Sequence, residues 1–471
     1  TPTGITALLD GAKVNITGKE VNITAHGSKY AYGVWAQSND ITRANPSIIN
    51  INADNTVIDV STDKTTIEGG ENQAIGIISY SGSTVNISGN LTVNAPTVIS
   101  TRGNSEVNIN KEGKGTVKLN GDISFNYNAP TSGTGIDSNV NINLTDADSV
   151  LNGNIIKTGN APSEKATVDK MTLSLSNNAT WNTTADSFVN NLNLSNGGTV
   201  NLNGDTHTID IVNKLSSDGG VVSTANLDSK LVVDSAAATD VKKLTVKGTG
   251  AMADQIAKDS SMASKLADVV TTSGDAGKSI ATNVTTDEGV IAGAYNGTVN
   301  ADGTVSGKQS INTSNQGISS MAAISMMTWR QENNDMNKRL GEIRDSKGKE
   351  GVWARMVRGE AKYDARDIKN QYNYYQLGYD TRVSDNWIVG GAFTYTDGES
   401  SFTKGSGTNK HTGFAVYGSQ LRDDGSFIDL IARYAHMKND FDTVTGAGNG
   451  DYSTNSYSIS AEYGKRFHQN N

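Results

Sequence analysis

Cysteine is absent from all 471 residues, which excludes a disulfide framework. Proline is scarce. The five prolines, Pro2, Pro46, Pro96, Pro130 and Pro162, all precede Lys165 and stand mostly beside Ala, Asn or Ser, where loop punctuation is expected. No run of eighteen apolar residues occurs, and an apolar fraction of 35% with a mean hydropathy of -0.44 excludes helical membrane spans. A net charge of -9 without a basic cluster argues against nucleic acid as a partner, because phosphates would find no cationic track. The five histidines are scattered and no calcium nonapeptide repeat assembles, so neither a metal nor a cofactor is expected. Thr1 opens directly into TPTGITALLDG with no signal peptide, as expected of a processed chain or a fragment.

Aromatic residues are present but unevenly placed. Of 29 Phe, Trp and Tyr, 19 lie between Gly351 and Asn471, on short alternating segments with polar, Gly-rich connections. A lipid-facing strand needs apolar and aromatic side chains at every second position and accepts polar ones between them. This tract therefore reads as part of an antiparallel outer-membrane β-barrel.

Upstream the composition is different. Residues 1–171 form a repetitive tract rich in Asn, Thr, Ser, Gly and Val. VNITGKEVNITA from Val14 returns as VNISGNLTVNA from Val85, and AYGVWAQSND from Ala31 is echoed 43 residues later by AIGIISYSGS. Self-similarity with strand periodicity predicts a right-handed parallel β-helix whose rungs each bury an apolar stripe, with Asn and Thr in turns and ladders. Residues 172–312 alternate more clearly and contain Trp181; Ala251 to Val270 carries Met252, Ile256, Met262, Leu266 and Val269 at helical spacing and predicts one short amphipathic helix. Residues 313–350 read as an α-helical linker rich in good helix formers. Arg330, Glu332, Asp335, Lys338, Arg339, Glu342, Arg344 and Asp345 bar that helix from lipid but suit a polar barrel lumen or water.

Residues 351–471 hold six strand candidates, beginning near Val352, Tyr372, Trp387, His411, Phe427 and Tyr452. Alternation assigns Trp387, Phe393, Tyr395, Leu430, Tyr434, Tyr457 and Tyr463 to the lipid face, and Arg355, Gln376, Asp380, Asp429, Arg433 and Glu462 to the lumen. Ser384 to Asn386 and Arg422 to Gly425 are tight turns, whereas Thr396 to Asn409 and Asn439 to Asp451 are expected as long Gly-rich loops.

The helix with NKRLGEIRD at Asn337 to Asp345, followed by GVWARM at Gly351 to Met356, resembles the start of the translocator domain of classical monomeric autotransporters, the type V secretion proteins. The resemblance runs from about Asn315 to the end, with a weaker pertactin-like, autochaperone-like pattern over residues 172–312. It implies a twelve-stranded barrel holding the helix, a passenger delivered to the cell surface, and insertion by the barrel-assembly machinery into outer-membrane lipid. Six strands ending in FHQNN depart from that pattern, and the chain reads as a truncated barrel domain. One subgroup resembled here, that with serine-protease passengers, cuts itself within the lumen through a cyclising Asn, and alignment on NKR places its Asn-Asn pair at Asn334-Asp335, where the second position differs. Cyclisation would need a positioned acid, for which Asp429 and Glu462 are candidates with Arg355 as a positioning cation; the plain alternative is a solvated polar pair.

Other catalysis finds less support. His26 and His207 are the histidines upstream of the helix, and neither stands near a nucleophilic Ser in a tight Gly-rich setting. Self-cleavage apart, the chain reads as a non-enzyme. By elimination and family analogy the passenger reads as an adhesin or surface stalk for an unknown host or cell-surface ligand, with Tyr30, Tyr32, Trp35 and Tyr80 as exposed contact candidates, of which at least two are expected to serve rung packing instead. A surface-displayed β-helical polysaccharide-degrading enzyme is the alternative.

Overall fold

Alternation of Val, Ile or Leu with Asn, Thr or Ser gives strands with one apolar face, and stacking them in parallel buries that face on every rung. The computed structural model describes residues 1–63, 74–126, 138–158, 170–274, 279–310, 312–364, 367–403, 405–443 and 449–467. The chain divides into two units, Thr1–Ser310 and Ile311–Asn471.

The first unit is a parallel β-solenoid. AYGVWAQ and AIGIISY are adjacent rungs, with Ala31 beside Ala74 and Trp35 beside Ile78. The VNIT and VNIS segments are two rungs apart, because Val14 pairs with Ile49 and Ile49 with Val85. One inward column runs through Ile23, Ile58, Val93, Leu119, Leu151, Trp181, Val200, Val222, Val246 and Val284. Every member is buried. Trp181 fits there because its Nε1–H, which would otherwise be an unpaired donor in an apolar core, reaches the Gly153 carbonyl at 2.9 Å.

Asparagines stack as well. Asn50, Asn86, Asn108 and Asn141 each donate a side-chain N–H to the Asn one rung earlier, at 2.7 to 2.9 Å. A second column starts on Asp59 and continues through Asn94, Asn120, Asn152, Asn182 and Asn201. Each such bond adds about 1 kcal/mol net, and the repetition locks the register that a slip of one residue would destroy.

Three expectations are corrected. Tyr80 is buried, with its hydroxyl 2.7 Å from Ser100 Oγ and the Arg102 guanidinium over its ring, so it is no surface contact. Pro96 lies inside the strand Thr84–Arg102, at a register shift where the missing N–H breaks no ladder; Pro130 and Pro162 fall outside the described residues. Ala251 to Val270 forms two helices, Gly250–Lys258 and Ser261–Ala267. Asp259 Oδ1 accepts the Ser261 N–H at 3.0 Å, a local turn that competes with continuing the helix.

These helices lay Met252, Ile256 and Leu266 on the core. Behind them Asp254 accepts the backbone N–H groups of Val290, Ile291 and Ala292, which hold its carboxyl below the usual range. The strands Tyr295–Val299 and Val305–Gln309 then turn antiparallel and close the stack.

The second unit opens with the helix Thr313–Arg344, whose 32 residues span about 48 Å. Six antiparallel strands follow as a meander: Glu350–Tyr363, Ile368–Arg382, Trp387–Phe402, Gly405–Leu421, Ser426–Thr443 and Asn449–Lys465. The expected loop Thr396 to Asn409 is mostly strand, and so are both ends of Asn439 to Asp451. Residues 404 and 444–448 are outside the described set. Pairing carries these polar segments onward because Ser, Thr and Asn satisfy a ladder as readily as apolar residues do when the neighbouring strand continues. One face of the sheet packs Met336, Leu340 and Ile343 of the helix against Ile388, Ala392, Ala415, Tyr417 and Ile431.

Trp181→Ala is expected to lower the stability of the solenoid by about 3–5 kcal/mol, and Asn94→Ala by about 1 kcal/mol. Denaturant midpoints of the two variants and the parent check the ranking.

Candidate functional site

Residues 321, 325, 328, 332, 336 and 340 recur at three- and four-residue spacing, which brings them to one side of the helix. That side meets the inner face of the sheet. Near its start Ser325 Oγ donates to Asn439 Oδ1 at 2.8 Å, and the Thr328 hydroxyl accepts from Asn370 Nδ2 at 3.2 Å.

The middle level centres on Glu332. Its carboxylate accepts from Thr396 Oγ1 and from Arg433 Nη2 at 3.1 Å, and His411 Nδ1 lies 3.0 Å away. Arg433 also reaches Asn333 Oδ1 at 2.6 Å and lies over the Trp329 ring. Glu332, His411 and Arg433 are all within 3% side-chain exposure. Removing such charges from water is costly, and only this many partners offset it.

Below, Arg339 pairs with Asp380, which also accepts from the Trp353 Nε1–H at 3.2 Å and from the Tyr417 hydroxyl. Lower still, Arg344 pairs with Asp429, and Ser419 donates to the same carboxylate at 2.6 Å. The pairing is reciprocal. Helix cations meet sheet acids at Arg339 and Arg344, whereas the helix acids Glu332 and Glu342 meet the sheet cations Arg433 and Arg355.

Arg355, Gln376, Asp380, Asp429 and Arg433 thus lie on the inner face with the helix. Gln376 donates to the Tyr374 hydroxyl at 2.6 Å. Glu462 stands opposite Asp429 on the last described strand, exposed, and joins no ion pair among the described residues. Trp387, Phe393, Tyr395, Leu430, Tyr434, Tyr457 and Tyr463 point to the opposite face. Sequence reasoning missed Glu332, His411 and Thr396 as one cluster. Helical spacing marks the first, and strand alternation with Arg433 and Gln376 marks the others.

Asn334 is exposed, whereas Asp335 is buried with Oδ2 unpaired and its backbone carbonyl held by Arg355 Nη1 at 2.8 Å. Asp429 is not brought to Asn334. It sits at Arg344, ten residues and about 15 Å further along the helix, and Glu462 shares its level.

In the solenoid, His26 does have serine and acid neighbours. Its Nδ1 lies 2.9 Å from Ser61 Oγ and its Nε2 3.1 Å from Asp63 Oδ1. In-register pairing of His26 with Ser61 makes this contact across 35 residues of sequence, so no local motif announces it. The His26 and Asp63 side chains are 58% and 62% exposed, and the Asp63 N–H is committed to the Gly27 carbonyl.

Residues 352–471 match the model of the autotransporter beta-domain family. The chain carries an autotransporter β-domain. It is an autotransporter of the classical kind, with its barrel domain at the C-terminal side of the helix, an outer-membrane location, and a passenger displayed on the cell surface. Serine protease SepA autotransporter of Shigella flexneri is 37% identical over 141 residues, covering 29% of this chain and 10% of that protein. Serine protease EspP of Escherichia coli O157:H7 is 34% identical over 150 residues, 31% of this chain and 12% of that protein. Serine protease sat autotransporter of Escherichia coli O6:H1 is 26% identical over 333 residues, 64% of this chain and 24% of that protein. The chain spans about a tenth to a quarter of the length of these relatives. Their names correct the expectation of a non-enzyme, because each is a serine protease.

Within the autotransporter helix, Glu332→Ala or Arg433→Ala leaves a buried charge unpaired and is expected to cost about 3–5 kcal/mol. Replacing both, as Glu332→Gln with Arg433→Met, is expected to cost less than either. The temperature at which the detergent-extracted protein loses its folded electrophoretic form measures all three.

Proposed function

We propose that the solenoid is the stem of a passenger belonging to a surface serine protease, and that the sheet and helix form the translocator that displays it. The observation that carries this reading is the helix held by reciprocal ion pairs against an autotransporter β-domain whose relatives above are named serine proteases. The outward rings, Phe393, Tyr434 and Tyr457 among them, meet lipid in this reading, while Arg355, Gln376, Asp380, Asp429, Arg433 and Glu462 border the lumen.

A serine-directed fluorophosphonate probe applied to intact cells tests the protease assignment. Labelling of the displayed protein, with matching loss of peptide hydrolysis, is expected; an unlabelled surface protein without hydrolysis counts against it. Ser61→Ala is expected to leave labelling unchanged, since the Ser61–His26–Asp63 contact is exposed, with the His26 and Asp63 side chains 58% and 62% open to water, and an oxyanion is stabilised strongly only where water is excluded.

The same reading includes release of the passenger at Asn334-Asp335. The Asn334 Nδ2 attacks its own backbone carbonyl carbon, the bond to the Asp335 nitrogen breaks, and a succinimide remains while the departing amine takes up a proton. The neighbouring Asp335 carboxylate, with one buried oxygen unpaired, supports proton transfer there, and Arg355 steadies the following carbonyl. Asn334→Ala is expected to leave one uncleaved species on a denaturing gel. A separate passenger fragment appearing from that variant removes the cyclisation step.

A further inference from the structure

We infer that the outer face of the barrel sheet carries a cationic tier that binds the phosphates of outer-leaflet lipid. Cross-strand register resolves that face into levels. One level joins Met356, Tyr375, Tyr395, Thr412, His436 and Asn455, and the level beneath it joins Ala354, Leu377, Phe393, Phe414, Tyr434 and Tyr457. From Trp387 to Tyr395 this apolar and aromatic belt covers about 20 Å along the membrane normal, at about 3.3 Å per residue and a tilt of about 40°.

The strands do not stop there. They run 14 to 18 residues, against about 9–11 needed to cross lipid. The next outward level, two residues beyond Tyr395, aligns Arg358, Asn373, Asp397, Lys410, Lys438 and Ser453. Arg358, Lys410 and Lys438 are exposed, and none takes part in an ion pair among the described residues. Lys410 and Lys438 stand directly opposite each other in register. Two like charges so placed repel unless an anion lies between them. Asp397, opposite Lys410, offsets one of these charges and leaves the tier net cationic.

The level above is acidic: Glu360, Glu399, Asp440 and Asp451, with Glu360 held by Lys362 and Lys369. Anionic headgroups are repelled from that level, and their acyl chains follow the aromatic belt below. Phosphate is therefore confined to the height of Arg358, Lys410 and Lys438. The leaflet follows from the helix, because Met321, close to its start, touches Ser400 and Gly407 at this same end of the sheet. The chain preceding the helix is the passenger, which is displayed outside, so the tier faces the outer leaflet.

The inference rests on the outer-membrane location and is tested separately from it. The full chain is extracted from outer membranes in zwitterionic detergent and mixed with lipid A bearing its phosphates or enzymatically stripped of them; native mass spectrometry counts bound lipid. Retention of the phosphorylated form at least about tenfold stronger than the stripped form is expected, weakening as salt rises. Arg358→Gln, Lys410→Gln and Lys438→Gln together are expected to abolish the difference, while Lys362→Gln with Lys369→Gln preserve it. Equal retention of the two lipids by the parent, or an undiminished preference in the triple variant, overturns the inference. Should the triple variant fail to reach the outer membrane, Lys438→Gln alone and the two-lipid comparison on the parent decide the matter. Recovery of the parent in soluble fractions would instead overturn the location.

Discussion

A strand sends successive side chains to opposite faces, and both units of this autotransporter depend on what that alternation separates. In the solenoid it divides apolar residues from amides. Inward positions form the column from Ile23 to Val284, and outward ones form the Asn ladders. In the second unit it divides rings such as Phe393 and Tyr434 from polar groups such as Thr394 and Arg433. The same rule yields a water-surrounded rod in one case and a membrane wall in the other, because the solvents facing the outer side differ.

The second unit inverts the usual placement of charge. Its polar face is the covered one, and the helix covering it must bring charges that match. The four guanidinium–carboxylate pairs run in both directions between helix and sheet, and sliding the helix by one turn in either direction would break all four. Such pairs define position more than they add stability, since burial offsets much of their attraction. Asn334 and Asp335 are placed by the same device. Arg355 grips the Asp335 carbonyl and also the Glu342 carboxylate two turns on, so the geometry at that peptide bond depends on the helix being seated.

Much of this was legible in the residues. Repeats at Ala31 and Ala74 are adjacent rungs, and the six barrel strands fall close to the segments where aromatic alternation begins. The intervening rung Ile48–Thr62 escaped the repeat comparison because INADNTVIDV keeps the pattern of its neighbours but not their residues. Other features depend on distance in the chain. Glu332 meets His411 across 79 residues and Arg433 across 101, and His26 meets Ser61 across 35. Nothing local marks those meetings. The polar ends of the barrel strands misled for a related reason: Gly, Ser and Asn resemble a loop until a neighbouring strand supplies partners for their backbone.

The sequence by itself determined the two periodicities, the helix between them, and which side chains share a face, because these depend only on the geometry of a few consecutive residues. Tertiary structure alone decided register: which acid meets which arginine, which lysines stand opposite each other, and that Asp429 sits at Arg344 and not at Asn334. Register is set by backbone pairing between strands and by the rise of a helix laid against them, and neither quantity is written in any single stretch of the chain.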